Sequence, residues 1–376
     1  MNPEYNKLFE PFTFPSGVTI ENRVLMAPMT TNSAFENGMI TTDEHNYYLR
    51  RATGLGAVIT SCAQVMENGK FAGSFSAASD NRIESLSKLA STIQSTGSKA
   101  ILQLFHVGRM GTSSTLRGEQ PVSASAIPAL RESAETPRAL SSDEVHELVR
   151  AFGEATRRAI QAGFDGVELH GANTYLIQQF FSPHSNRRED YWGGTLEKRM
   201  NFPLAVVKEA KNAIKKYSDK PFILGYRISP EEMENPGITL EHTVQLLDKL
   251  KDQELDYIHV SVGDMKQSSM RDKGIEKPII QLIQEKIGNK IPIIGVGLIQ
   301  TPSDAMSALE LGIPLVAIGR ELIVEPDWIK KIKEGKEQSI RVEIDPTDKT
   351  DLMIPDEMWE YISSRPGWVP IATKIS

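Results

Sequence analysis

The chain has 376 residues, of which 40% are hydrophobic, so it can bury a large core. Its net charge of −7 is spread along the sequence without a basic cluster, which argues against nucleic acid as a partner. Cys62 is the only cysteine, which excludes an internal disulfide bond, an iron–sulfur cluster and a structural zinc site built on several thiolates.

The first predicted element is a small N-terminal hairpin. Two short apolar runs, 12–14 and 18–20, flank a turn at Pro15-Ser-Gly17. The first long strand follows at 24–27 and ends before Pro28, and from there strands alternate with helices. The strands predicted after it are 57–61, 100–105, 166–169, 222–228, 257–262, 293–296 and 315–318.

The helix before the fourth long strand has the clearest signals. Ser141 and Glu144 form a capping box, apolar residues recur at helical spacing up to Ile160, and Gly163 ends the helix. Other helices are predicted at about 45–53, 82–96, 196–216, 240–251, 278–287 and from 301 to a stop at 312. Eight strands alternating with helices favour an α/β fold, a (β/α)8 TIM barrel. We expect one domain over 1–376, with the N-terminal hairpin, the barrel at about 22–335 and a C-terminal extension at 339–376.

Polar side chains cluster where the fourth strand ends, which in such a barrel is the catalytic rim. His170 and Asn173 offer N–H donors that can converge on one substrate oxygen, and Tyr175 adds a phenol. A lone histidine at a strand end more often has a structural role, with its hydrogen bonds made inside the protein, and Tyr175 could have only a packing role. Three such side chains within six residues favour a site.

The seventh and eighth strands end in glycines that are typical of a phosphate site. Gly295-Val-Gly297 and Gly319-Arg320 would let backbone N–H groups approach a phosphate, with Arg320 pairing with its oxygens. Either glycine alone is better explained by a tight turn, but two in adjacent units with an arginine favour the phosphate. From these residues alone the phosphate could belong to a substrate or to a cofactor.

Three more strand ends carry polar side chains. Thr30 follows the first strand, Gln103 lies on the third, and Arg227 lies on the fifth. An amide can pair with the imide edge of a heterocycle, and a buried arginine can stabilise a charged ring. Each could instead be structural: a cap, a backbone partner or a rim salt bridge. Together with the phosphate corner they describe a pocket shaped for a flavin.

These residues resemble those of the old yellow enzyme family of flavin oxidoreductases. The resemblance runs in order from about residue 7 to 335. Its blocks are Pro28-Met29-Thr30, Gln103-Leu-Phe-His106-Val-Gly-Arg109, the stretch from His170 to Pro183, Ser185-Asn186-Arg187, Gly193-Gly194 and Gly319-Arg320. With one cysteine and no extra length, the chain resembles the single-barrel members, which lack an iron–sulfur cluster and a nucleotide-binding domain.

The resemblance implies a non-covalent FMN that NAD(P)H reduces and an electron-poor alkene reoxidises. It implies an ene-reductase activity on α,β-unsaturated carbonyl compounds, with hydride passing from flavin N5 to Cβ. His170 and Asn173 would grip the carbonyl oxygen, and Tyr175 would protonate Cα. By the same likeness Pro28, Met29, Thr30, Ala63, Gln103 and Arg227 would line the flavin ring, Gly297, Gly319 and Arg320 would hold the phosphate, and Phe105 would lie beside the substrate.

The sequence departs from the family pattern at four positions, all of which bear on acceptor preference. Thr174 stands where glycine is usual, and Trp192 replaces a frequent tyrosine. Phe105 stands where many members carry tryptophan, and Thr30 where one branch has a cysteine that tunes the flavin. The acceptor therefore stays open: a quinone, nitro compound or free flavin is the alternative to an enone. A barrel enzyme acting on a phosphorylated metabolite is a more distant one.

The remaining expectations concern loops, partners and location. The connections 106–140 and 263–277 are long enough to be lids or binding loops. The aromatic residues after Ser339 should pack on the barrel or on a partner subunit, so a homo-oligomer is one alternative. No run approaches the ~18 apolar residues of a membrane span and the first residues lack an apolar signal core, so we expect a cytoplasmic protein acting on a small molecule.

Overall fold

Eight parallel strands form the centre of the computed structural model, which describes residues 1–372. Nearly all of their residues are buried, as expected for strands covered by helices on one face and packed inside a barrel on the other. The strands are β1 (Val24–Met26), β2 (Ala57–Gln64), β3 (Lys99–Phe105), β4 (Gly166–Gly171), β5 (Ile223–Ile228), β6 (Tyr257–Ser261), β7 (Ile293–Val296) and β8 (Leu315–Ile318).

The sheet closes on itself because β1 pairs with both β2 and β8. Leu25 lies opposite Ala57 on one side, and Val24 lies opposite Val316 on the other. The predicted (β/α)8 barrel is therefore confirmed. One strand differs: β2 continues to Gln64 through a register irregularity between Ile59 and Cys62, and its end pairs with a short edge strand, Phe75–Ser76.

The helices that cover the barrel follow the predicted positions. Ser141 and Glu144 make both hydrogen bonds of the predicted capping box. The longer helices are Thr42–Ala52, Ile83–Gln94, Ser142–Gln161, Asn201–Tyr217, Leu240–Leu250, Ile279–Ile287, Pro302–Glu310 and Asp356–Ser363. Shorter helices lie at Leu176–Phe181, Leu196–Arg199, Arg320–Val324 and Trp328–Lys333. Within residues 1–372 none of these helices is both long and apolar enough to cross a membrane.

The N-terminal hairpin packs against the interior of the barrel. Its strands Phe12–Thr13 and Thr19–Ile20 are antiparallel, and Phe14, Val18 and Ile20 share one apolar cluster with the inward residues of several strands. Because this cluster includes the first residues of β2, the hairpin covers the end at which the strands begin. The opposite end, where the strands finish, carries the loops and the polar side chains.

The C-terminal extension packs on the barrel, one of the two arrangements predicted for it. Met358 and Ile362 of its last helix are buried, and Arg51 of the first long helix donates to the carbonyl of Leu352 at 2.6 Å. Beyond that helix, Arg320 Nη1 donates to the carbonyl of Trp368 at 3.0 Å. The extension thus reaches the corner of the barrel that follows β8.

Candidate active site

His170 lies on β4, one residue before the strand ends, and its side chain is buried. Its Nδ1 accepts the backbone N–H of Ala172 at 3.3 Å, so the ring proton is on Nε2, which can donate. Burial, reinforced by the positive charge of Arg227, holds the pKa of His170 well below its usual value. At neutral pH the imidazole is therefore a neutral hydrogen-bond donor.

Asn173 is held so that its amide nitrogen stays free. Its Oδ1 accepts from the hydroxyl of Ser261 at 2.9 Å, and its backbone N–H donates to Ser229 Oγ at 2.9 Å. Within residues 1–372 Nδ2 has no hydrogen-bond acceptor, and Asn173 lines the main cavity. The two serines, on the loops after β5 and at the end of β6, thus present a second N–H donor close to His170.

The backbone that follows is strained. Asn173 and Thr174 both have positive φ, 55° and 67°, and a β-branched residue rarely adopts this conformation. Two amides of the next helix clamp it: Gln178 accepts from the N–H of Thr174 at 2.9 Å, and Gln179 donates to its carbonyl at 2.6 Å. Thr174, where glycine is usual in the family, therefore has a strained backbone that the two amides hold in place. Backbone strain of this kind is characteristic of functional sites.

Tyr175 lies against three aromatic rings. The ring of His170 is 4.9 Å away and nearly perpendicular, Phe105 is at 5.2 Å, and Phe71 is stacked at 6.3 Å. Burial raises the pKa of Tyr175, so its phenol stays protonated, and within residues 1–372 its hydroxyl makes no hydrogen bond. Phe71 belongs to the loop after β2 and was not among the predicted residues.

A cavity of about 710 Å³ opens beside these side chains, a size common for sites that bind small molecules. Eight predicted residues line it: Pro28, Met29, Thr30, Asn173, Arg227, Gly297, Gly319 and Arg320. Gln103, Phe105, His170 and Tyr175 do not line it directly. His170 lies next to it, because its register partner Arg227 lines the cavity. Tyr175 contacts the ring of His170, and Phe105 contacts the ring of Tyr175.

Two glycines leave one end of the cavity without side chains. A Cβ on Gly297, where φ is 134°, would lie 2.9 Å from the backbone nitrogen of Met265. A Cβ on Gly319 would lie 3.0 Å from the sulfur of Met29. Any larger residue would have to displace backbone or cavity-lining atoms, so this end is shaped for a close approach to the main chain. Arg320 stands at the same end.

Ala63 does not line the cavity. Its methyl lies in the core between strands and helices, fully buried, whereas its neighbour Cys62 is the register partner of Gln103 and packs against Phe105. Side chains alternate along a strand, and the register irregularity before Cys62 sets which of the two faces inward. The assignment of Ala63 to the flavin ring stays a prediction, since the cavity wall leaves out several other predicted ring and substrate residues as well.

Comparisons with known proteins agree with this geometry. Residues 7–339 match the model of the NADH:flavin oxidoreductase / NADH oxidase family. The chain belongs to this family. A Bacillus subtilis relative named "Probable NADH-dependent flavin oxidoreductase YqiG" is 47% identical over 98% of this chain and 99% of its own. A structure of the old yellow enzyme homologue from Zymomonas mobilis superposes with a TM-score of 0.77 at 27% identity, covering 88% of this chain and 93% of that one.

Two further relatives are much longer than this chain. The NADH:acrylate oxidoreductase of Vibrio harveyi is 45% identical over 95% of this chain and 36% of its own. The NADH:fumarate oxidoreductase of Klebsiella pneumoniae is 44% identical over 94% of this chain and 39% of its own. The chain therefore spans little more than a third of the length of these two proteins.

Membership of the old yellow enzyme family confirms the predicted class of chemistry. The protein is a flavin oxidoreductase that uses FMN, with NADH or NADPH as the reductant. Sequence reasoning missed the contribution of the C-terminal extension, which adds Tyr361, Gly367, Trp368 and Pro370 to the cavity wall. The aromatic composition of this segment pointed to packing, but nothing in the sequence indicated against which strand end it packs.

A buried carboxyl lies behind the loop that carries Thr30. Glu44 is fully buried on the first long helix and accepts from the hydroxyl of Thr31 at 2.6 Å. Burial raises the pKa of Glu44 to about 8, although the bond from Thr31 opposes this. The folded protein therefore holds a proton here that the unfolded chain releases above its ordinary pKa of 4.5.

This proton makes stability depend on pH in a defined direction. Between pH 4.5 and 8 the unfolded chain binds fewer protons at this position than the folded protein, so the free energy of unfolding should fall as pH rises. The slope from one such group is roughly 1.4 kcal/mol per pH unit at most. We expect Glu44→Gln to flatten the slope measured by urea unfolding between pH 5.5 and 7.5. Glu84→Gln, at an exposed carboxylate whose pKa Lys88 lowers, should leave it unchanged; equal slopes in all three proteins would contradict the expectation.

Proposed function

We propose that the protein reduces the activated C=C bond of α,β-unsaturated carbonyl compounds at the expense of NAD(P)H. The observation that carries the proposal is the arrangement of two free N–H donors, on His170 and Asn173, beside the protonated phenol of Tyr175. Two donors suit a carbonyl oxygen that gains negative charge, and a phenol suits a carbon that gains a proton.

The residues of the cavity fit FMN. Gly297, Gly319 and Arg320 would hold the phosphate at the end that the two glycines keep bare. Pro28, Met29, Thr30, Gln103 and Arg227 would contact the ring. The guanidinium of Arg227 supports this, because it is buried and within residues 1–372 it has no hydrogen-bond acceptor. An unpartnered buried cation calls for an electron-rich neighbour.

When bound, FMN would supply the redox chemistry, the transfer of a hydride equivalent from the nicotinamide to the alkene. The residues of this chain do the rest. His170 Nε2–H and Asn173 Nδ2–H bind the carbonyl oxygen, orient the alkene and stabilise the developing enolate charge. The hydroxyl of Tyr175 gives its proton to Cα, and Phe71 and Phe105 exclude water from that face.

We also propose NADH rather than NADPH as the reductant. Three relatives at 44–47% identity are each named for NADH, and the part that two of them share with this chain is little more than a third of their length. The names of the two longer relatives give different acceptors, acrylate and fumarate, but the same nicotinamide, NADH. The shared part would then be the one that oxidises NADH.

One experiment tests both proposals. The yellow protein is reduced anaerobically with NADH or NADPH, and the reduced protein is mixed with an enone, acrylate, fumarate, a quinone or a nitroarene in a stopped-flow instrument. We expect NADH to reduce it at least about tenfold faster, a difference of ~1.4 kcal/mol in transition-state binding. The enone should reoxidise it to a saturated product. Reoxidation by the quinone or nitroarene alone would instead establish the alternative function, a quinone or nitro-compound reductase.

A further inference from the structure

A fully buried carboxylate lies below the site and takes no part in the chemistry proposed so far. Glu168 is two residues before His170 on β4, so both side chains are on the same face of the strand, one layer apart. Its Oε1 accepts from Gln103 Nε2 at 2.7 Å, and its Oε2 accepts from His259 Nδ1 at 2.9 Å. Both carboxylate oxygens are therefore occupied by donors from neighbouring strands.

The contact with Gln103 decides which end of that amide is available. Nε2 is engaged by Glu168, whereas Oε1 accepts no hydrogen bond from any residue in 1–372. The amide is thus presented with its acceptor free, which suits an N–H such as that of the imide of a flavin ring. With a neutral hydrogen-bonding partner in place of the carboxylate, the amide could bind in either orientation.

Glu168 lies opposite Gly225 on β5, two residues before Arg227, so the carboxylate and the guanidinium face the same side of neighbouring strands. Burial disfavours ionisation of both groups, but Glu168 is the largest influence that favours the charged guanidinium. Burial alone would raise the pKa of Glu168. The pKa is nevertheless held below its ordinary value by His259, Arg227 and the Gln103 amide. Burial lowers the pKa of His259, so this histidine is a neutral Nδ1–H donor and adds no charge. Glu168 therefore places a negative charge one layer below the cation Arg227.

We propose that Glu168 is a positioning residue for the flavin ring: it fixes Gln103 with its acceptor outward and balances the charge of Arg227. This rests on the proposed assignment of Gln103 and Arg227 to the ring. The first role predicts coupling between Glu168 and Gln103 in FMN binding. The second predicts that loss of the carboxylate makes the bound flavin easier to reduce, because an uncompensated cation then faces the negative charge of the reduced ring.

A double-mutant cycle tests the first role. FMN is titrated into apoprotein and binding is followed by quenching of flavin fluorescence, for the parent, Gln103→Ala, Glu168→Gln and the double variant. We expect about a tenfold loss of affinity for each single variant, and for the double variant little more than for Glu168→Gln alone. No effect of Gln103→Ala on the parent would overturn the assignment of Gln103 itself. Two single effects that multiply in the double variant would overturn the positioning role.

A variant in which the residues at positions 103 and 168 are exchanged tests whether Glu168→Gln loses FMN merely because the protein misfolds. Gln103→Glu combined with Glu168→Gln keeps one amide and one carboxylate in the hydrogen-bonded pair, and the amide of residue 168 can donate to the carboxylate of residue 103. An acceptor oxygen then still faces the ring, so this variant should bind FMN more tightly than Glu168→Gln alone. Affinity that stays as low as in Glu168→Gln would count against the proposal.

The midpoint potential of bound FMN tests the second role. Removing a buried negative charge should shift the reduction equilibrium of the Glu168→Gln protein about tenfold toward the reduced form, which is ~30 mV upward for a two-electron couple. Glu168→Asp, which keeps the charge, should stay near the parent value. The control is Glu232→Gln, a buried carboxyl that bonds Gln178 and Ile238 rather than Gln103. A Glu168→Gln potential equal to that of the parent, or a shift of equal size in the control, would overturn the charge-balancing role.

Discussion

Replacing Tyr175 by Phe is expected to slow reoxidation by an enone about 10²–10⁴-fold, the usual effect of losing a general acid. The variant keeps the ring that packs on His170 and Phe105 and removes only the hydroxyl, which makes no hydrogen bond to residues 1–372. Reduction by the nicotinamide needs no proton from this phenol and should change little. Stopped-flow measurement of the two half-reactions separates these effects.

Two further observations complete this test. Reoxidation by a quinone, which can take protons from water, should be nearly unaffected by Tyr175→Phe. Tyr191→Phe, which removes the same hydroxyl from an exposed tyrosine on a rim loop, should leave both half-reactions at the parent rates. Equal slowing of both half-reactions in Tyr175→Phe would point to a packing role, and unchanged enone reoxidation would mean that another group supplies the proton.

Replacing both His170 and Asn173 by Ala should abolish the binding of phenols over the flavin while FMN stays bound. A phenolate oxygen is a stand-in for the enolate oxygen, and the two N–H donors are positioned to bind it. In the parent, a para-substituted phenol should give a long-wavelength charge-transfer band, and the double variant should lack it. Enone reoxidation should also slow by about 10²–10³ for each donor lost.

The control for this prediction is His45→Ala. His45 is a half-buried histidine on the first long helix that bonds Thr92 and is remote from the cavity. It should keep the band and the reoxidation rate of the parent. A double variant that binds phenols as tightly as the parent would show that the two N–H groups have been assigned the wrong role. Loss of FMN from the double variant would also contradict the prediction, since neither residue is assigned to the cofactor.

The order of strands and helices could be predicted because each signal for it is local. A buried parallel strand is a short apolar run, and a capping box such as Ser141 with Glu144 lies within four residues. The position of His170 followed from the same signals, since a polar residue directly after an apolar run marks the end of a strand. Gly297 after β7 and Gly319 after β8 marked one end of the cavity in the same way.

The features that were missed depend on contacts between distant parts of the chain. The register irregularity of β2 against β3, after which Cys62 pairs with Gln103, is not revealed by any property of β2 alone. Phe71 meets Tyr175 across about a hundred residues of sequence, and Trp368 meets Arg320 across 48 residues. Glu168 was not among the predicted residues, because its significance comes only from its two partners, Gln103 and His259.

The wall of the main cavity has a consequence for how the enzyme matures. It is built from residues as early as Ala27 and as late as Pro370, including Trp368 beside Arg320. A growing polypeptide cannot complete this wall until residue 370 has left the ribosome. We therefore expect FMN to bind only once the segment up to residue 370 has been made, and not to the earlier strands and helices alone. For the same reason, a protease that clips the extension should release the cofactor while most of the barrel remains intact.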